Sequence, residues 1–124
     1  MSLQLSVYYH DEITGEEKSV PLDSDVFGWE SSRKRLWGQP ILRELGLVLL
    51  PKLGDGAWLN IAGEELNQLE LEANLILENI GTILQRIPND QVRLYGGKSI
   101  VQEYATNLLE AVKKARTVNG IVSV

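Results

Sequence analysis

Leu66, Leu69, Ala73, Ile76, Ile80, Ile83 and Ile87 follow one another at steps of three and four residues. An α-helix gathers such positions on one side, because its side chains return to the same face every 3.6 residues. Leu77 and Leu84 widen the stripe, Glu64 and Glu65 suit the positive end of a helix dipole, and Pro88-Asn-Asp stops the pattern. The spacing predicts one long amphipathic helix over 64–87, with Ile76 inside and Glu70 and Glu78 in solvent. Such a stripe has to be covered. Either the rest of the chain covers it, or, given its seven-residue spacing, a second copy does so in a helix-mediated homodimer.

A second helix follows from Ser99. Ser99 and Gln102 have the spacing of a capping box, Ile100, Val101, Tyr104, Leu108, Ala111, Val112 and Ala115 form its apolar face, and Asn119-Gly120 ends it. Leu5, Val7 and Tyr9 alternate with Ser6, Tyr8 and His10, the period-two pattern of a half-buried strand. The turn residues Asp11 to Gly15 and a returning strand over 17–22 complete a hairpin, which Pro21 places at a sheet edge. Residues 23–29 read as a loop, 30–37 as a short helix closed by Gly38, and 39–46 as another with Pro40 inside and Gly46 beyond. Residues 47–61 are ambiguous between two short strands around Gly54-Asp-Gly56 and a buried extended run before one strand at 58–61. Residues 121–124 read as a closing strand. The fold class expected is α+β: one domain over 1–124, with a small, mainly antiparallel sheet and the two long helices packed on one face.

Composition removes whole classes of chemistry. With no Cys there is no disulfide, thiolate nucleophile or iron–sulfur cluster, and with His10 alone a two-His metal site cannot form within one chain. No cofactor and no metal are expected. A net charge of −5 argues against nucleic acid, whose binding rests on many Lys and Arg contacts to phosphate. The longest apolar run, Leu47 to Leu50, is too short to cross a bilayer, and the first residues lack a basic-then-apolar leader. A soluble, cytoplasmic protein is expected. The charge is also organised in blocks: −6 over 1–30, +4 over 31–54, −6 over 55–91 and +3 over 92–124. Such alternation points to segments that neutralise one another on folding, or to a dipolar surface that steers a charged partner.

Three motifs resemble chemistry and are assigned plainer roles. Gly96-Gly-Lys-Ser99 has the end of a phosphate-binding loop, but Val92 stands where that loop needs glycine, so a turn before a capped helix is expected. Glu70, Asn74 and Glu78 share one side of the long helix, where Glu72 adds charge. Without a His partner from a second helix they read as a solvated face. His10 has only Asp11 and Glu12 beside it, and neither can orient its neighbour's ring for general-base work.

The segment Trp29-Glu-Ser-Ser-Arg-Lys-Arg-Leu-Trp37 concentrates the residue types that dominate protein interfaces. If helical, it puts Trp29, Arg33 and Trp37 on one side, with Lys34 and Arg35 beside them. Core packing of the Trp rings is the competing expectation, because the chain has one Phe with which to fill its interior. The functional expectation is a non-enzymatic module that binds another protein, in the manner of an accessory or immunity- or antitoxin-like inhibitor, through Trp29, Arg33, Lys34, Arg35 and Trp37. The alternative is a small-ligand or sensing domain with a pocket between sheet and helices, lined by Tyr8, Trp58 and Tyr104.

Overall fold

The computed structural model describes residues 2–87, 94–95 and 98–124. Strands β1 (Ser2–Gln4) and β2 (Ser6–His10) are separated at Leu5, and β2 turns at Asp11 into β3 (Glu17–Val20). The Asp11 carboxylate accepts the Ile13 and Thr14 amides at 2.9 and 3.3 Å, which makes the turn, and pairs with Lys18 at 2.8 Å. Residues 23–29 are not simply a loop. They contain β4 (Val26–Trp29), which pairs antiparallel with β1, and Asn107 fixes its start by donating to the Val26 carbonyl at 2.9 Å.

After a wide turn over Arg33–Trp37 come α1 (Pro40–Glu44), a 3₁₀ helix over Leu50–Asp55 and β5 (Asn60–Ala62). The 47–53 run is therefore neither of the two extended forms considered for it. Pro51 opens a short helix that Gly56, at φ +88°, closes, which is the same Pro-inside, Gly-after asymmetry that marks α1. The chain continues through α2 (Glu65–Glu78), α3 (Ile80–Arg86), the small antiparallel pair β6 (Leu94–Tyr95) and β7 (Lys98–Ser99), α4 (Ile100–Val118) and β8 (Ile121–Ser123). Both halves of the Ser99/Gln102 capping box are made, and Asn119 ends α4 in the left-handed conformation. Gly96, Gly97, Val92 and Pro88-Asn-Asp lie outside the described residues.

The main sheet has the order β3-β2-β8-β5 and is antiparallel throughout. Its register aligns Val20, Val7, Val122 and Ile61 in one row facing the helices, while Tyr8, Ile121 and Ala62 line up on the outer face. Helices α2 and α4 pack against each other over the inner row, which gives the α+β architecture. Arg116 ties them at the surface, donating to Glu70 at 2.6 Å and to Asn67 at 2.7 Å. The second and third charge blocks likewise meet through Arg43–Asp55 and Arg86–Glu44. No helix among the described residues is long and apolar enough to cross a membrane.

The helix expected over 64–87 is two. At Asn79 the backbone leaves the helical region (φ −118°, ψ 23°), and the Asn79 side chain donates to the Leu75 carbonyl at 2.8 Å. A side chain that competes for its own backbone acceptors weakens a helix, and Gly81 follows it. Most of the stripe is nevertheless inside: Leu66, Leu69, Ala73, Ile76, Ile83 and Ile87 are buried, while Ile80, Leu77 and Leu84 are only half-buried. The buried positions are covered by the rest of the chain.

Glu72 departs further from expectation. Placed with the solvated face by sequence, it is fully buried, turned toward the start of the 3₁₀ helix, where its carboxylate accepts the Leu49 and Leu50 amides at 2.9 Å. Glu70 is the ion-pair partner of Arg116, and Asn74 and Glu78 remain exposed. Among the described residues no three carboxylate or imidazole groups gather to hold a metal.

The Asp11–Lys18 pair sets a pH dependence for the hairpin. Hydrogen bonds from Lys18 and from the Ile13 and Thr14 amides hold the Asp11 carboxyl below its ordinary 3.8, and the same pair raises Lys18 above 10.5. A depressed carboxyl stabilises the fold fully above pH 3.8 and loses that contribution as pH falls through its folded value. Protection of the Ile13 and Thr14 amides, measured against their intrinsic exchange rates, is expected to fall below that pH in the wild type and to be already low in Asp11→Ala. Equal protection in both would remove the turn's dependence on this carboxylate.

Candidate functional site

The segment 29–37 begins as strand and ends as a π-helical turn. Gly38 N–H donates to the Arg33 carbonyl at 2.7 Å, a five-residue reach that makes the turn wider than an α-helix. Its cause is contact with the 3₁₀ helix, because Gly38 and Gly54 cross backbone to backbone. A Cβ on Gly54 would collide with the backbone of Gly38 and Arg33, so this crossing demands glycine.

The i, i+4, i+8 face expected for Trp29, Arg33 and Trp37 does not exist. Trp37 is fully buried, stacked on Phe27 with centroids 4.4 Å apart and planes 11° from parallel, with Tyr104 packed at 6.3 Å. Its indole N–H donates to the Phe27 carbonyl at 3.3 Å, which satisfies the one polar atom that burial would strand. Trp37 is core, so its ring cannot form part of a partner-binding face. Arg33 is also buried: it donates to the Leu53 and Ala57 carbonyls at 3.2 and 2.8 Å and pairs with Glu30 at 2.7 Å. Its guanidinium carbon lies 4.9 Å from the centre of the Trp58 ring. Arg33 thus bolts the π-turn to the 3₁₀ helix and orients Trp58, rather than presenting its charge to solvent.

Trp29, Lys34 and Arg35 are exposed, Trp29 to 57% and Trp58 to 67%. Trp29 is held on β4 by the bond from its amide to the Ser32 hydroxyl at 3.1 Å. Between the two turns opens a notch of about 390 Å³ lined by Glu30, Ser31, Lys34, Arg35 and Asp55 together with Arg33 and the Gly54 and Gly56 backbone. Both carboxylates of this lining are already engaged, Glu30 with Arg33 and Asp55 with Arg43. Lys34 makes no ion pair among the described residues.

The three residues of the alternative pocket are not brought together. Tyr8 lies on the outer face of the sheet, donating to Asn60 at 3.3 Å, Tyr104 sits in the aromatic cluster of the core, and Trp58 lies over Arg33. His10 is exposed at the end of β2, opposite Glu17. Sequence reasoning missed Trp58 and the Gly54–Gly56 wall as parts of the 29–35 surface. The spacing from Pro51 to Gly56 was the available signal, since it marks the short helix that carries them there.

Arg33 carries a testable consequence. Arg33→Ala leaves two carbonyls and Glu30 without their charged donor, and the loss of charged hydrogen bonds is expected to cost roughly 2–3 kcal/mol in urea unfolding. Arg33→Lys should recover less than half, because one ammonium cannot reach all three acceptors as a planar guanidinium does. A change within about half a kcal/mol would show that the bolt is dispensable.

Comparison of the chain with protein-family models, with curated proteins and with solved structures found no match.

Proposed function

We propose that this chain is a non-enzymatic protein-binding module, acting in the cytoplasm by occluding or scaffolding another protein. The observation that carries the reading is the pair of exposed indoles, Trp29 on β4 and Trp58, the latter lying over the buried Arg33 guanidinium that helps line the Lys34/Arg35 notch. A large aromatic ring fixed before binding, as Trp58 is over Arg33, loses little entropy on association, and exposed Trp rings are the commonest anchor residues of interfaces. The absence of Cys and the single His10 support a role without catalysis. An inhibitor that covers a partner's functional surface, as immunity proteins and antitoxins do, is the form of this role that suits so small a domain.

The notch volume also falls within the range of small-ligand sites. Its position beside the exposed Trp58 ring favours a side chain presented by a partner.

The test is affinity capture from the native host with wild-type protein and with Trp29→Ala/Trp58→Ala, both shown by circular dichroism to be folded. A partner recovered with the wild type and lost with the double variant is the expected result. An identical set of captured proteins would overturn the assignment of this face.

A further inference from the structure

We infer that the free edge of β5 pairs with the same strand of a second copy of this chain, antiparallel and about a two-fold axis at Asn60, so that two four-stranded sheets join into one. The inference goes beyond the docking face proposed above and does not depend on it. It starts from the direction of the backbone groups. Leu59 and Val124 exchange both of their amide hydrogen bonds, at 2.8 and 3.0 Å, and Ile61 lies opposite Val122 two residues further on. In an antiparallel ladder, residues that exchange bonds alternate with residues whose N–H and C=O point the other way. Trp58, Asn60 and Ala62 therefore aim their backbone groups away from β8, and none of those groups has a hydrogen-bond partner among the described residues. All three residues are exposed. A row of unpaired backbone groups at this spacing is a template for one more strand.

The opposite edge of the sheet is guarded against such pairing, and the β5 edge is not. On β3 the same alternation turns Glu17, Ser19 and Pro21 outward. Pro21 has no N–H to offer, its carbonyl already accepts the Lys114 ammonium at 2.8 Å, and Glu16, Glu17 and Lys18 add charge. From Gly56 to Gly63 the chain has neither a charged residue nor a proline.

A second copy suits this edge because the strand complements itself. With Asn60 on the axis, each Asn60 faces the other, and Trp58 faces Ala62 of the second copy. Every one of these is an outward-pointing residue, so each pair can exchange two backbone hydrogen bonds. Ala62 is too small to displace the Trp58 ring from Arg33 or to cover it, which leaves that indole in place. On the helix side, Leu59 meets Ile61 of the second copy, extending the apolar layer in which both already lie. Asp55, the nearest charge before the strand, is paired with Arg43.

The experiment is sedimentation equilibrium of the full chain from about 1 to about 500 μM, a range over which mass action exposes a weak dimer. The mass is expected to rise from 13.9 kDa toward twice that value. Because the joined edges are uncharged and each chain carries −5, association should hold or tighten as salt rises from about 50 to about 500 mM. Asn60→Pro removes a donor that points away from β8, so it spares the β5–β8 ladder and should weaken association about tenfold or more. Asn60→Lys sets like charges face to face on the axis and should weaken it likewise, which keeps the test decisive if the proline variant fails to fold. In a chain with no Cys of its own, Asn60→Cys should oxidise to a covalent dimer far faster than Ser19→Cys on the guarded edge. The Cα atoms of a bond-exchanging pair lie about 5.5 Å apart, within disulfide reach.

A chain that stays monomeric throughout would overturn the inference. So would association undiminished in the folded Asn60 variants, or equal rates of cross-linking at the two Cys positions. Capture of a partner through Trp29 and Trp58 is read separately, since the Asn60 variants keep both indoles.

Discussion

Trp37→Ala is expected to destabilise the domain by roughly 3–5 kcal/mol, the range of large aromatic truncations in a packed core. The ring is wholly enclosed, and its removal would strip Phe27 of a stacked partner and Tyr104 of a packed one. It would also leave the Phe27 carbonyl without the indole donor. That loss is a large fraction of the 5–15 kcal/mol typical of whole domains, so the variant should unfold at markedly lower urea concentration. Trp37→Phe keeps the stack and loses the hydrogen bond, and should cost about 1–2 kcal/mol. Fluorescence gives an independent reading, because the chain has three Trp residues and two are exposed. Iodide should quench Trp29 and Trp58 while leaving one shielded component, which disappears in Trp37→Phe. A Trp37→Ala change within about half a kcal/mol would contradict its burial.

Elements with strong periodicity or explicit end signals are legible in the sequence. Ser99 and Gln102 announced α4 by chemistry local to four residues, and the alternation of Leu5 and Val7 announced the inner row of the sheet. What periodicity could not show was a choice made by distant partners. Asn79 interrupts the 64–87 stripe without disturbing its spacing, because a one-residue departure leaves the flanking turns nearly in phase. Trp29, Arg33 and Trp37 fit an α-helical face perfectly well by number. Their separation depends on Gly38 meeting Gly54, a tertiary contact sixteen residues away in the chain. The candidate surface is therefore half legible: Trp29, Lys34 and Arg35 are exposed, Arg33 and Trp37 turn inward, and Trp58 arrives from a segment whose helix only Pro51 and Gly56 betray.

Glu72 is where the reading by pattern failed most and where the largest polar effect is expected. On a helical wheel a Glu among Glu70, Asn74 and Glu78 belongs to solvent, and a buried Glu is rare unless its oxygens are satisfied. Here they are. One oxygen accepts the Leu49 and Leu50 amides at 3.1 and 2.9 Å, and the other accepts the Leu49 amide at 2.9 Å and the Gln68 side-chain amide at 2.8 Å. The first amides of any helix lack intrahelical acceptors, so a chain that buries the start of its 3₁₀ helix needs an acceptor supplied from elsewhere. Glu72→Ala leaves two buried N–H groups unpaired, at about 1–3 kcal/mol each, and is expected to cost roughly 2–5 kcal/mol. Glu72→Gln retains an oxygen for Leu50, lets the Gln68 amide reorient toward the new donor, and should cost about 1–2 kcal/mol. Glu72→Leu fills the space with no acceptor, so it should resemble Ala if hydrogen bonding dominates and the wild type if packing does. Because the same 3₁₀ helix carries Gly54 and Asp55 of the notch and the carbonyl of Leu53 that Arg33 grips, the loss should spread. Faster amide exchange at Leu49 and Leu50 is expected together with a shift in Trp58 emission. Wild-type stability in Glu72→Leu with unchanged exchange would show that the segment holds its shape without this carboxylate.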